Sequence, residues 1–164
     1  MTEDINERDG KNFIYLYVEF SIKHDHDSLR HLEQEFNVKP TKLQINGTTE
    51  RLANGGSMLN QSNIWRFSSE NKVDSVEPDD HLRYVVEHLE PAKERIKKYI
   101  QDPSYQVMIW LWRVCDYNFA GFGFESSLLS RACEICQIWS FTVNYNEDLV
   151  EDAEHWRYKL LPYE

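Results

Sequence analysis

The chain has 164 residues, 41% of them hydrophobic and 13% aromatic, which suits one domain with a sizeable core and argues against disorder over most of its length. Its 28 acidic against 18 basic residues give a net charge of -10, a balance that repels phosphate backbones and favours basic partners. No run approaches the roughly 18 apolar residues of a bilayer span. The polar start, residues 1–10, is unlike a secretion signal, and three cysteines point to reduced thiols in a cytoplasm rather than a disulfide framework.

Residues 1–12 read as a flexible acidic N-terminus, 13–145 as a single α+β domain, and 146–164 as an acidic C-terminal tail that can pack on the domain. The first strand is expected over 13–22, with Ile14, Leu16, Val18, Phe20 and Ile22 on one face. Tyr15 and Tyr17 lie on the other, continued by Glu19 and Ser21. After a polar loop at 23–27, Asp27 is placed to cap a helix over 28–36, where Leu29, Leu32 and Phe36 recur at helical spacing. Lys39-Pro40-Thr41 turns the chain out of that helix into extended structure. The glycine-bearing stretch 46–61 is expected to be a mobile loop. A short strand follows at 63–68, with Trp65 and Phe67 sharing a face.

Pro78-Asp79-Asp80 is suited to a helix start, and Leu82, Val85, Val86 and Leu89 form a stripe continued by Ile96, Tyr99 and Ile100. Pro91 interrupts that stripe, so a kink or two abutting helices are expected. Residues 105–114 make a strand that is apolar on both faces. Val107, Ile109 and Leu111 lie on one side; Met108, Trp110 and Trp112 lie on the other. A turn at 116–118, a short strand at 119–124 and a helix capped by Ser126 or Ser127 and running to about Cys136 come next. The last strand is expected over 138–145, with Trp139, Phe141, Val143 and Tyr145 on one face. The order implies a two-layer α+β sandwich, with helices packed on one face of a mixed or antiparallel sheet.

Five segments in sequence also carry a resemblance. They are Ile14-Tyr15-Leu16-Tyr17-Val18-Glu19-Phe20-Ser21-Ile22, then Asn37-Val38-Lys39-Pro40-Thr41, then Trp65 within Asn63-Ile64-Trp65-Arg66-Phe67-Ser68, then Leu89-Glu90-Pro91, and finally the Gly-Phe-x-Phe passage and following helix at 121–129. In that order they resemble a bacterial family of domains of unknown function, number 4279, over roughly residues 13 to 145. The resemblance implies a compact α+β fold and no established activity. Loop 46–61 and the acidic tail match the family pattern least.

Candidate chemistry is sparse. His24-Asp25-His26-Asp27 has the donor types for Zn or Mn, but no distant His or Cys is evidently paired with it, so no metal is expected. Cys133-x-x-Cys136 has redox spacing at the wrong end of a helix and reads as a pair of small apolar thiols, with Cys115 the third. His31, His81, His88 and His155 are scattered, Ser126-Ser127 lacks a nucleophile elbow, and Gly55-Gly56 lacks the Lys-Ser or Lys-Thr of a phosphate loop. No catalytic residue, cofactor or membrane contact is expected, and enzyme status is unsupported.

The sharper candidate is the aromatic sheet face of Tyr15, Tyr17, Trp110 and Trp112. Such faces stack bases in RNA-binding modules, but those also carry cations, and here Arg66 and Arg113 lie off the aromatic face of their own strands. The face is therefore expected to meet the tail (with Trp156 as its lid), a second copy in a homodimer, or another protein. A non-enzymatic, acidic protein-binding domain follows, of which an immunity protein neutralising a basic toxin is the most concrete version. The alternative is a small enzyme or ligand-binding domain using loops 23–27 or 46–61.

Overall fold

The computed structural model describes residues 14–51, 55–115 and 123–145. Seven strands and four α-helices occur there: β1 Ile14–His24, α1 Leu32–Phe36, β2 Lys42–Gln44, β3 Thr49–Arg51, β4 Ser57–Leu59, β5 Asn63–Ser68, α2 Pro78–Leu89, α3 Lys93–Gln101, β6 Gln106–Cys115, α4 Ser126–Cys133 and β7 Ile138–Tyr145. Five strands form a mixed sheet in the order β2-β5-β1-β6-β7, in which all pairs are antiparallel except β6 with β7. This is the α+β architecture expected. β1 is central because both of its edges are used: Phe20 stands opposite Phe67 on one side and Ile109 on the other.

Strand alternation does the sorting. Leu16, Val18, Phe20 and Ile22 of β1, Trp65 and Phe67 of β5, and Val107, Ile109 and Leu111 of β6 all point to one side. There they are buried against Leu32 and Phe36 of α1, Leu82, Val85, Val86 and Leu89 of α2, Ile96 and Tyr99 of α3, and Leu128 and Ala132 of α4. Trp65 is enclosed by Phe20, Phe36 and Phe67, with ring centroids 5.6–6.5 Å away. Arg113 shares this inner side and is itself buried.

Of the two outcomes expected at Pro91, a kink or abutting helices, the structure has the abutting pair. A single 3-10 turn, Glu90–Ala92, joins α2 to α3, because proline lacks the N–H that a continuous α-helix would use. Pro78 occupies the first turn of α2, with Asp79 and Asp80 beside it at the positive end of the helix dipole.

Three expectations change. α1 covers only five residues rather than 28–36. Asp27 does not cap it: the Asp27 carboxylate accepts a hydrogen bond from Tyr105 Oη (2.9 Å), and Asp27 N–H donates to His24 Nδ1 (2.6 Å). Asn37 ends the helix in the left-handed conformation (φ 55°), which asparagine tolerates better than most residues. Second, loop 46–61 contains a β3–β4 hairpin that forms its own two-stranded sheet. Gly47 and Gly55 supply the positive φ angles (79° and 82°) that its turns need. Buried Asn60 anchors its base by exchanging backbone hydrogen bonds with Gly47 (2.9 Å) and Thr48 (2.8 Å). Third, α4 stops at Cys133, and neither Ser126 nor Ser127 caps it; Glu125 occupies the cap position. The strand expected at 119–124 lies mostly outside the described residues, and Gly123 and Phe124 are irregular. The N-terminus, the tail, His155 and Trp156 also lie outside them.

Candidate functional site: the outer face of the sheet

Every core residue of β1 and β6 leaves its neighbours on the opposite side, where no described helix packs. β1 presents Tyr15, Tyr17, Glu19, Ser21 and Lys23 there, and β6 presents Met108, Trp110, Trp112 and Val114. The antiparallel register sets Tyr17 opposite Trp112 and Glu19 opposite Trp110. The four aromatics expected to share a face are therefore brought together. Tyr15 meets Tyr17 edge-on (5.7 Å), Tyr17 stacks on Trp112 (6.4 Å, 11° between planes), and Trp112 meets Trp110 edge-on (5.3 Å). All four are half-buried, and Val114, next along β6, is only 2% exposed.

The polar atoms of this track are unequally served. Trp110 Nε1 donates to Thr142 Oγ1 of β7 (2.9 Å), whereas the buried Trp112 Nε1 meets no acceptor among the described residues. Tyr15 Oη donates to Glu70 Oε1. Burial, reinforced by the nearby Glu19 and Glu70 carboxylates, pushes the Tyr17 phenol well above its ordinary range. Glu70 is likewise raised, chiefly by burial.

The face also holds a cation that strand-by-strand reading leaves out. β5 turns its own aromatics, Trp65 and Phe67, towards the helices, so Arg66 falls on the side that β1 and β6 fill with aromatics. Arg66 reaches Glu19 Oε1 and Gln44 Oε1, each at 3.4 Å, while its buried Nε meets no acceptor among the described residues. Glu19 is 8% exposed, and burial raises its carboxyl above the usual range despite Arg66. Ser21 stands opposite Arg66 on one side and Met108 on the other. A small side chain between long ones leaves a groove of about 60 Å³, walled by Glu19, Lys23, Ile64, Arg66, Met108 and Trp110.

The remaining candidates are structural in their surroundings. His24 Nδ1 accepts the N–H groups of His26 (3.1 Å) and Asp27 (2.6 Å), and its ring lies 4.5 Å from that of Tyr105. Among the described residues no three His, Cys, Asp or Glu side chains gather at a metal-binding distance. Cys133 is exposed and Cys136 buried, with burial pushing the Cys136 thiol up to about 12. His31 and Lys98 both engage Glu35, which also accepts from Tyr99 Oη (2.6 Å), tying α1 to α3.

One pairing escapes the sequence altogether. Ser69 Oγ lies 2.8 Å from His81 Nδ1, and His81 Nε2 lies 2.8 Å from the Ser75 carbonyl. A carbonyl only accepts, so Nε2 carries the proton and Nδ1 accepts from the serine. Ser69 Oγ also accepts Val18 N–H (2.9 Å). Serine with histidine suggests a nucleophile and its base, but Ser69 is 0% and His81 1% exposed, which leaves no access for substrate. The pair fastens α2 to β1.

A family model for a domain of unknown function, DUF4279, matches residues 14–141. The chain belongs to this family. The matched span runs from the first residue of β1 into β7, so β1 to β6, the start of β7 and the whole groove lie within it. No curated protein and no solved structure matches the chain. No helix among the described residues is long and apolar enough to cross a membrane.

Proposed function

We propose that this DUF4279 domain is a non-enzymatic, cytoplasmic protein-binding module whose outer sheet face is the contact surface. The observation that carries the reading is the continuous ring track Tyr15–Tyr17–Trp112–Trp110 on a side that no described helix covers. Aromatic side chains provide large contact area at low entropic cost and are favoured as interface anchors. The net charge of -10 favours a basic partner and speeds its capture, as in an immunity protein that neutralises a basic toxin. A second copy of the chain is the other protein partner compatible with the same face.

Separate Trp110→Ser and Trp112→Ser variants test the reading by sedimentation, partner capture and thermal melting of the same samples. Loss of the oligomer or the partner with the fold intact supports it, since truncating an anchor often costs about 2 kcal/mol or more of binding. Folded variants with unaltered association overturn it.

A further inference from the structure

The groove beside the ring track has its own chemistry, independent of any protein partner. Along β1 its charges are ordered: Glu19, then Ser21 as the floor, then Lys23. Two-residue steps on a strand are about 6.8 Å, so the Glu19 and Lys23 Cα atoms stand about 13–14 Å apart with a hydroxyl midway. Across the strand, Arg66 has a buried Nε without an acceptor and holds its two oxygen partners only at 3.4 Å. Lys23 makes no ion pair among the described residues.

A simple cation entering this groove is repelled by Lys23 and Arg66, and a simple carboxylate is repelled by Glu19. A guest carrying both charges side by side is opposed by neither. We propose that the groove binds the zwitterionic head of a free α-amino acid, with its ammonium on Glu19, its carboxylate on Lys23 and the Arg66 guanidinium, and a short apolar side chain against Met108 and Trp110. The groove is open to solvent, so its volume of about 60 Å³ needs to seat only part of the guest: room for about four water-sized groups takes the ammonium and carboxylate, and the side chain lies at the mouth. An incoming ammonium also compensates the burial that raises the Glu19 carboxyl.

The experiment titrates the full-length chain, followed by amide and indole NMR, with L-alanine and with its two half-molecules, propionate and propylamine. Saturable shifts are expected at Ser21, Lys23 and the Trp110 indole, with L-alanine binding about tenfold more tightly than either half. Lys23→Gln, at a half-buried position whose ammonium pairs with no carboxylate among the described residues, should weaken L-alanine about tenfold without moving the melting temperature. Glu19→Gln should remove the preference for L-alanine over propionate. Absence of saturation with L-alanine, equal affinity for propionate in the unaltered chain, shifts centred elsewhere, or unchanged affinity in folded Lys23→Gln each overturn the proposal.

Discussion

Ser69 Oγ and His81 Nδ1, 2.8 Å apart and closed to solvent, join the sheet to α2 through the backbone of Val18. Ser69→Ala removes the hydroxyl and leaves Val18 N–H and His81 Nδ1 buried without it. A loss of about 1–3 kcal/mol is expected, measured as a lower urea midpoint at unchanged slope. An unmoved midpoint shows that water replaces the hydroxyl.

The same histidine gives a pH dependence with a definite sign. Burial lowers its folded pKa below the ordinary 6.5, so the unfolded chain takes up a proton that the folded chain resists. Its contribution is fully present above about pH 6.5 and is lost as pH falls through the folded value. Glu19 and Glu70 act oppositely, since both are raised: their stabilising contribution is present below about pH 4.5 and disappears as pH rises through their folded values. Comparing urea unfolding of the parent and His81→Gln between pH 8 and 5 isolates the histidine. A smaller acid-side loss in His81→Gln is expected; parallel curves refute the assignment.

Leu111 is fully buried on the inner side of β6, beside Val107 and Ile109. Leu111→Ala should cost about 2–5 kcal/mol, because a packed sheet-helix interface closes poorly over the cavity. Chemical denaturation measures it, and a change under about 1 kcal/mol contradicts the packing described.

Trp110 and Trp112 permit a paired comparison. Changing either to Phe removes similar area, but only Trp110 loses a hydrogen bond, whereas Trp112 loses an unserved buried N–H. Trp110→Phe should therefore be the less stable variant by about 1 kcal/mol in thermal or urea melts. The reverse order indicates that the Trp112 indole has an acceptor.

Metal content is checked by elemental analysis of protein purified without a histidine tag. No stoichiometric transition metal is expected, because both local N–H groups already occupy His24 Nδ1. A bound metal lost in the His24→Ala, His26→Ala double variant overturns this.

What the sequence made legible was set by period. β1, β5 and β6 alternate cleanly, so their inner residues and the grouping of Tyr15, Tyr17, Trp110 and Trp112 followed from side-chain parity alone. The β3–β4 hairpin was read as loop because its three-residue strands carry no alternation to detect. The α1 start was misplaced because Asp27 has two possible employments, and Tyr105, 78 residues later, claims its carboxylate. Arg66 and the Ser21 groove were hidden for a related reason. Their meeting depends on which face β5 turns towards β1, and register between distant strands is invisible to local periodicity.

The central position of β1 has a consequence for the chain as it is synthesised. Its partner β6 is far downstream, with Ile14 pairing Cys115 and Lys23 pairing Gln106. At about 5–20 residues per second a ribosome needs roughly 4–16 s to pass from the end of β1 to the start of β6. Throughout that interval one edge of β1 waits without its native neighbour. Any fragment released before β6 emerges carries that unpaired edge with it, in a form suited to pairing with another chain.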